Sequence, residues 1–278
     1  MKRGIRIFGL VAVLGLMLAA VGAVSANNSW GSYHWARQSN PFNLNLGDNL
    51  ASKWDPYLTT ASSDWTASTV LDTTVVPGAA GNVRNCTPPS GRVEVCNAKY
   101  GFNGWLGVAG IYIDSNDHIL RGYVKLNDSY FNTSTYNTAA WRRLVACQEV
   151  GHTLGLDHQD ETNNNVNLGT CMDYTNDPDG GTGGASSTDP SNEHPNQHDY
   201  DQLATIYAHL DGTSTIAASS PAGPGAGNGN SGNASVDEHG LPSSAAPANG
   251  HVYVTDLGHG QKLIVHVFWV QAGQPGAR

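Results

Sequence analysis

Two rhythms of apolar residues run along this chain. Phe42-Asn-Leu-Asn-Leu46 alternates apolar with polar positions and predicts a strand. The β-branched stretch 69–76 predicts a second strand, stopped by Pro77-Gly78, and 92–98 a third. Residues 106–113 and 119–126 flank Asp114-Ser-Asn-Asp-His118, the pattern of a hairpin. Helical spacing appears between Trp54 and Trp65, where Leu58 and Ala61 share a face. It returns at 138–154, where Trp141, Leu144, Val145, Gln148 and His152 fall on one side and Gly155 supplies a stop. A last helix over 198–210 aligns Tyr200, Leu203, Ala204, Tyr207 and Leu210. Beyond residue 250, His251-Val-Tyr-Val-Thr255 and 262–269 surround Asp256-Leu-Gly-His-Gly260. That is a second hairpin, too small to stand alone and expected to dock on the main domain or on a partner.

The intervening and leading segments divide the chain. Lys2, Arg3 and Arg6, the apolar run 7–24 and the small residues Val24-Ser-Ala26 have the layout of a secretory signal peptide. The predicted organisation is a signal peptide over 1–26, an α+β domain over 27–211, a flexible Gly/Ser/Pro/Ala linker over 212–250 and the hairpin segment over 251–278. No other stretch is apolar enough to span a bilayer, so no membrane anchor is expected after cleavage, and the localisation expected is extracellular.

Composition narrows the class. The 278 residues include 33 glycines and 13 prolines, and only 13% are charged, about half the usual share. The net charge of -9 becomes -12 once Lys2, Arg3 and Arg6 are removed, leaving 11 cations against 23 acids. Such a chain has no basic patch to spare for nucleic acid and is no charged helix bundle. Its four cysteines, Cys86, Cys96, Cys147 and Cys171, favour two disulfides in an oxidising compartment. Cys86 with Cys96 and Cys147 with Cys171 are the natural pairs by proximity, though three pairings are open. The absence of a C-x-x-C spacing weighs against a cysteine-rich zinc site.

The chemistry gathers between 148 and 174. In Gln148-Glu-Val-Gly-His152-Thr-Leu-Gly155-Leu-Asp-His158, positions 148 and 152 project from one helix face, and Gly155 permits the turn that brings His158 back. Glu149 falls within reach of a metal-bound water. The spacing is that of the extended zinc motif H-E-x-x-H-x-x-G-x-x-H. Gly169-Thr-Cys-Met172-Asp-Tyr174 follows, with a methionine where a turn beneath such a metal is expected. Over about 40–210 the chain resembles the metzincin metallopeptidases, especially the secreted matrixin-like group. The resemblance implies a twisted mixed sheet, a metal-binding helix and a closing C-terminal helix. It also implies a Zn2+ cofactor and protein or peptide substrates laid along the 106–113 strand. By position it implies metal ligands at 148, His152 and His158, Glu149 as general base, Met172 in the Met turn, and Tyr174 near the zinc or the developing oxyanion.

The chain departs from that pattern at Gln148, which stands where the family has histidine, and an amide oxygen is the weaker zinc donor. Three accounts follow: Gln148 ligates through its oxygen, another group such as Tyr174 or His198 completes the sphere, or the site is dead. An active zinc endopeptidase is the leading expectation. A metzincin-fold protein that only binds peptides or partners is the alternative, and a structural protein that binds through its C-terminal hairpin is a third class. Carboxylates over 173–189 offer a structural Ca2+ site, although Gly180-Gly-Thr-Gly-Gly184 reads first as a loop. Asp114 and Asp117 read as turn formers, and His194 and His198 as surface or helix-start residues. His118, His251, His259 and His266 have no partner spacing and receive no role.

Overall fold

The computed structural model describes residues 28–181, 187–217 and 250–277, so the expected signal peptide and most of the expected linker lie outside the described residues. The described chain is an α+β fold with one seven-stranded mixed sheet and few helices. Its strands are β1 (Phe42–Asn49), β2 (Leu71–Pro77), β3 (Val93–Ala98), β4 (Trp105–Ile113), β5 (Ile119–Asn127), β6 (Val252–Gly258) and β7 (Gln261–Trp269). They lie in the order β2-β1-β3-β5-β4-β7-β6. The first four neighbours from β2 to β5 run parallel, and β4, β7 and β6 add antiparallel pairs. The helices are α1 (Asp55–Thr66), a short α2 (Asp128–Phe131), α3 (Ala139–Thr153) and α4 (Gln197–Ile206).

Each predicted element has its counterpart, and the mixed apolar pattern explains the layering. On β7, Ile264 and Phe268 join the main core, where α1 and α3 pack on the sheet, while Leu263, Val265 and Val267 join a smaller cluster that includes Trp105, Val108 and Tyr123. Strand β7 is thus buried on both faces, whereas β6, at the sheet edge, is exposed at every second residue. The Cys86–Cys96 disulfide lies in the smaller cluster, and Cys147–Cys171 ties α3 to the loop that carries Met172. Among the described residues no helix is long and apolar enough to cross a membrane.

Two boundaries differ from the periodicity. Helix α4 stops at Ile206, and Leu210, placed by spacing on its buried side, is 58% exposed. The backbone there is captured by the N-terminal segment. Asn40 donates to the Tyr207 carbonyl at 2.8 Å, Arg37 donates to the His209 carbonyl, and the Asp211 amide donates to the Arg37 carbonyl at 2.9 Å. The start of the expected linker is also bonded to the domain, with Thr215 N–H on the Ala36 carbonyl and Ala217 N–H on that of Gly91.

The C-terminal hairpin docks on the domain itself. Ala109 of β4 faces His266 of β7, and Gly107 faces Phe268. The residues after β7 add to the grip: Val270 N–H donates to Gly104 O at 2.8 Å, Gln271 N–H to the Tyr136 hydroxyl at 2.9 Å, and the Tyr130 hydroxyl to Pro275 O at 2.6 Å.

Candidate metal centre

Helix α3 is started by Thr138, whose side chain accepts from Trp141 N–H, and it carries Gln148, Glu149 and His152 into the core, all three without solvent exposure. The chain leaves the helix through Gly155 at φ +94°, a left-handed conformation in which a side chain would also strike the Tyr33 carbonyl. That turn returns the Leu156 carbonyl to His152 Nδ1 at 2.9 Å and sets the His158 ring 4.8 Å from the His152 ring, edge to face. Gly151, inside α3, gives the room for Met172 and Trp65: a Cβ there would meet Met172 Sδ and the Trp65 ring, each at 2.7 Å. Met172 therefore packs closely against α3 at Gly151.

Each of the three motif residues has one polar end held by the protein and one end left over. The Gln148 amide nitrogen donates to the Cys171 carbonyl at 2.7 Å, His152 Nδ1 to Leu156 O, and His158 Nδ1 faces Glu161 Oε1 at 3.5 Å. Gln148 Oε1, His152 Nε2 and His158 Nε2 are buried and have no hydrogen-bond partner among the described residues. Tethering one end of a ligand so that the other presents a lone pair is how outer groups orient metal ligands. Both Glu149 carboxylate oxygens are likewise buried, with the Ala109 backbone of β4 beside them. Room for that carboxylate comes from β4, where a Cβ on Gly107 would lie 2.5 Å from Glu149 Oε1.

The remaining member was not legible in the motif. His266 of β7 enters from the opposite side, its ring 3.8 Å from that of His152 and 4.4 Å from that of His158. One nitrogen from each of these three histidines lies within 4.8 Å of the others, a group able to hold a metal ion. His266 Nδ1 is 3.8 Å from Glu149 Oε2, and neither ring nitrogen has a hydrogen-bond partner among the described residues. Trp30 closes the cluster with its ring 5.6 Å from His152 and 6.3 Å from His266.

Burial governs the electrostatics. It pushes the Glu149 carboxyl well above the usual carboxylate range. It holds His152 and His266 well below the ordinary histidine value, and neighbouring histidines add to the effect. Those two histidines, His152 and His266, are therefore held in the neutral form, the form that binds metal. Tyr174 is buried, with its ring 4.5 Å from His158; its hydroxyl donates to the Val267 carbonyl at 3.1 Å and lies 2.5 Å from His251 Nδ1.

The other sequence candidates are placed elsewhere. His198 lies in the first turn of α4, its amide donating to the capping side chain of Asn196 at 2.9 Å, and His194 pairs with Asp64 at 2.7 Å, so neither joins the α3 cluster. Asp114 accepts from the Asn116 and His118 amides, as a turn former does. In the acidic stretch, Asp177 Oδ2 and both Asp189 oxygens are buried without a partner among the described residues, and 182–186 lie outside them.

Models of known protein families and curated protein sequences give no match to this chain.

Proposed function

We propose that the protein is a secreted zinc-dependent endopeptidase of metzincin type. The supporting observation is the convergence of one nitrogen each from buried His152, His158 and His266 within 4.8 Å of one another, with a Glu149 carboxylate oxygen 3.8 Å from His266. The histidine nitrogens fit a zinc ion, and Gln148, at the motif position where the resemblance implies a histidine, has a buried Oε1 without a hydrogen-bond partner among the described residues. When bound, zinc supplies Lewis acidity, activating water near neutral pH and polarising a peptide carbonyl. Glu149 accepts the proton of the attacking water and passes it to the leaving amine as the C–N bond breaks. Tyr174, whose hydroxyl already donates to a peptide carbonyl in the structure, donates to the substrate oxygen as it gains charge. An extended substrate pairs with the β4 edge on the side away from β5. Two disulfides and the signal-like leader support secretion.

The test is cleavage of an unfolded polypeptide by the full zinc-loaded chain. Glu149→Ala is expected to lower the rate by about 10²–10⁴-fold with unchanged zinc content. A second reading, a peptide-binding fold without catalysis, draws on Gln148 and on the strand that fills the β4 edge. Equal rates for the wild type and Glu149→Ala decide for it.

A further inference from the structure

We infer that the C-terminal hairpin is a metal-anchored internal pseudosubstrate: β7 fills the substrate strand position along β4, and His266 takes the coordination position facing Glu149. This rests on the metallopeptidase reading and adds its regulation. Three observations carry it. First, β7 pairs antiparallel with β4 on the edge not used by β5, with Ala109 opposite His266, so the backbone groups a substrate needs are spent on the chain itself. Second, His266 reaches the His152 and His158 rings from the β7 side, and its Nδ1 sits 3.8 Å from Glu149 Oε2, where the attacking water must stand. Third, the Val267 carbonyl, next to His266, already accepts from the Tyr174 hydroxyl. A strand that engages the edge, the oxyanion donor and the metal together, yet offers an imidazole in place of water, is bound as a substrate is and cannot be hydrolysed. No covalent step is needed; the device works by occupancy.

The experiment compares the full chain with its His266→Ala variant. Zinc affinity, measured by chelator competition, is expected to fall more than about 100-fold, beyond the 10–100-fold typical of an outer partner. The visible spectrum of the cobalt-substituted protein should change as one nitrogen donor is lost. Zinc should slow amide exchange in 261–269 in the wild type and leave it unchanged in the variant. With zinc saturating, cleavage should rise at least about ten-fold, as expected if under a tenth of the wild type is open. Unchanged zinc affinity and cobalt spectrum, or a variant that binds zinc and whose Glu149-dependent cleavage is no faster than that of the wild type, overturns the inference. If His266→Ala and His266→Ala/Glu149→Ala cleave equally, the endopeptidase reading fails, while the metal and exchange measurements still judge His266.

A different set of atoms carries a second inference. His34 Nε2, His209 Nε2 and Asp211 Oδ1 converge, with separations of 3.4 Å (His34–Asp211), 3.6 Å (His209–Asp211) and 3.2 Å (His34–His209). Donors around a tetrahedral ion with bonds of about 2.1 Å lie about 3.4 Å apart. The outer partners are also in place: His34 Nδ1 is held by Ser32 O at 2.7 Å, and Asp211 Oδ2 by the Arg37 guanidinium at 2.9 Å, which leaves the converging atoms for the ion. His118 Nε2 lies 3.4 Å from the same Asp211 oxygen. We propose that these residues bind a second divalent ion of the zinc class, clamping the N-terminal segment to the chain after α4. Zinc titration of the full chain should give two sites, falling to one in His209→Ala, whose side chain is half exposed and safe to remove, and to one in His152→Ala. Equal stoichiometry in the wild type and His209→Ala overturns it.

Discussion

Helix α3 and strand β7 meet at one cluster of side chains, yet they are opposite kinds of structure. The helix brings Gln148, Glu149 and His152 from within five consecutive positions, and its own turn brings His158. The strand brings one histidine from the far end of the sequence, held by pairing with β4 and by apolar neighbours on both faces. The helix contribution is set by local geometry, and the strand contribution by the packing of the whole sheet. A site built this way has a rigid half and a half whose presence depends on how firmly β7 is seated.

The contrast can be broken most forcefully at Phe268, buried against Tyr174 at 4.9 Å and Trp141 at 6.4 Å. If β7 is a true core strand, Phe268→Ala should cost about 3–5 kcal/mol in urea unfolding; a loss well under that would make the hairpin an appendage. Gly107→Ala, next in size, forces a methyl group against Glu149 and Val145. It should cost about 1–3 kcal/mol and slow cleavage by more than that loss of stability explains, which parallel rate and unfolding measurements will reveal. At the other end of α3, Thr138→Ala removes the cap on Trp141 N–H. About 1 kcal/mol of stability should go while zinc affinity, measured by competition, stays as it was. Smallest of all is Val254→Ala on exposed β6, where unfolding should shift by no more than about 0.5 kcal/mol. A larger shift would mean that β6 carries load that its exposure hides.

Much of this architecture could be read before any coordinates. Alternation marked β1, the Asp114 turn marked the β4–β5 hairpin, and the period of α3 placed Gln148 and His152 together, because each signal lives within a few residues of chain. His266 escaped for the reverse reason. A single histidine between Val265 and Val267 resembles any polar interruption in a strand, and its partners His152 and His158 share no spacing with it. His34, His209 and Asp211 escaped likewise. Spacing also carried α4 to Leu210, whereas the carbonyls of Tyr207 and His209 are claimed by Asn40 and Arg37, a tertiary contest no helical period records. The short α2, capped by Asn127, has too few residues for any period to show.

The pairing of Ala109 with His266 has a kinetic side. Local pairs such as β4 with β5 close quickly, while a strand that must wait for a distant partner pays the loop-closure entropy first and forms slowly. Until β7 arrives, β4 presents an open, apolar edge, the kind of surface that recruits other chains. The last strand to join is then also the one that makes the newborn protein safe from its own kind, and its seating should be the slow, aggregation-sensitive stage of refolding.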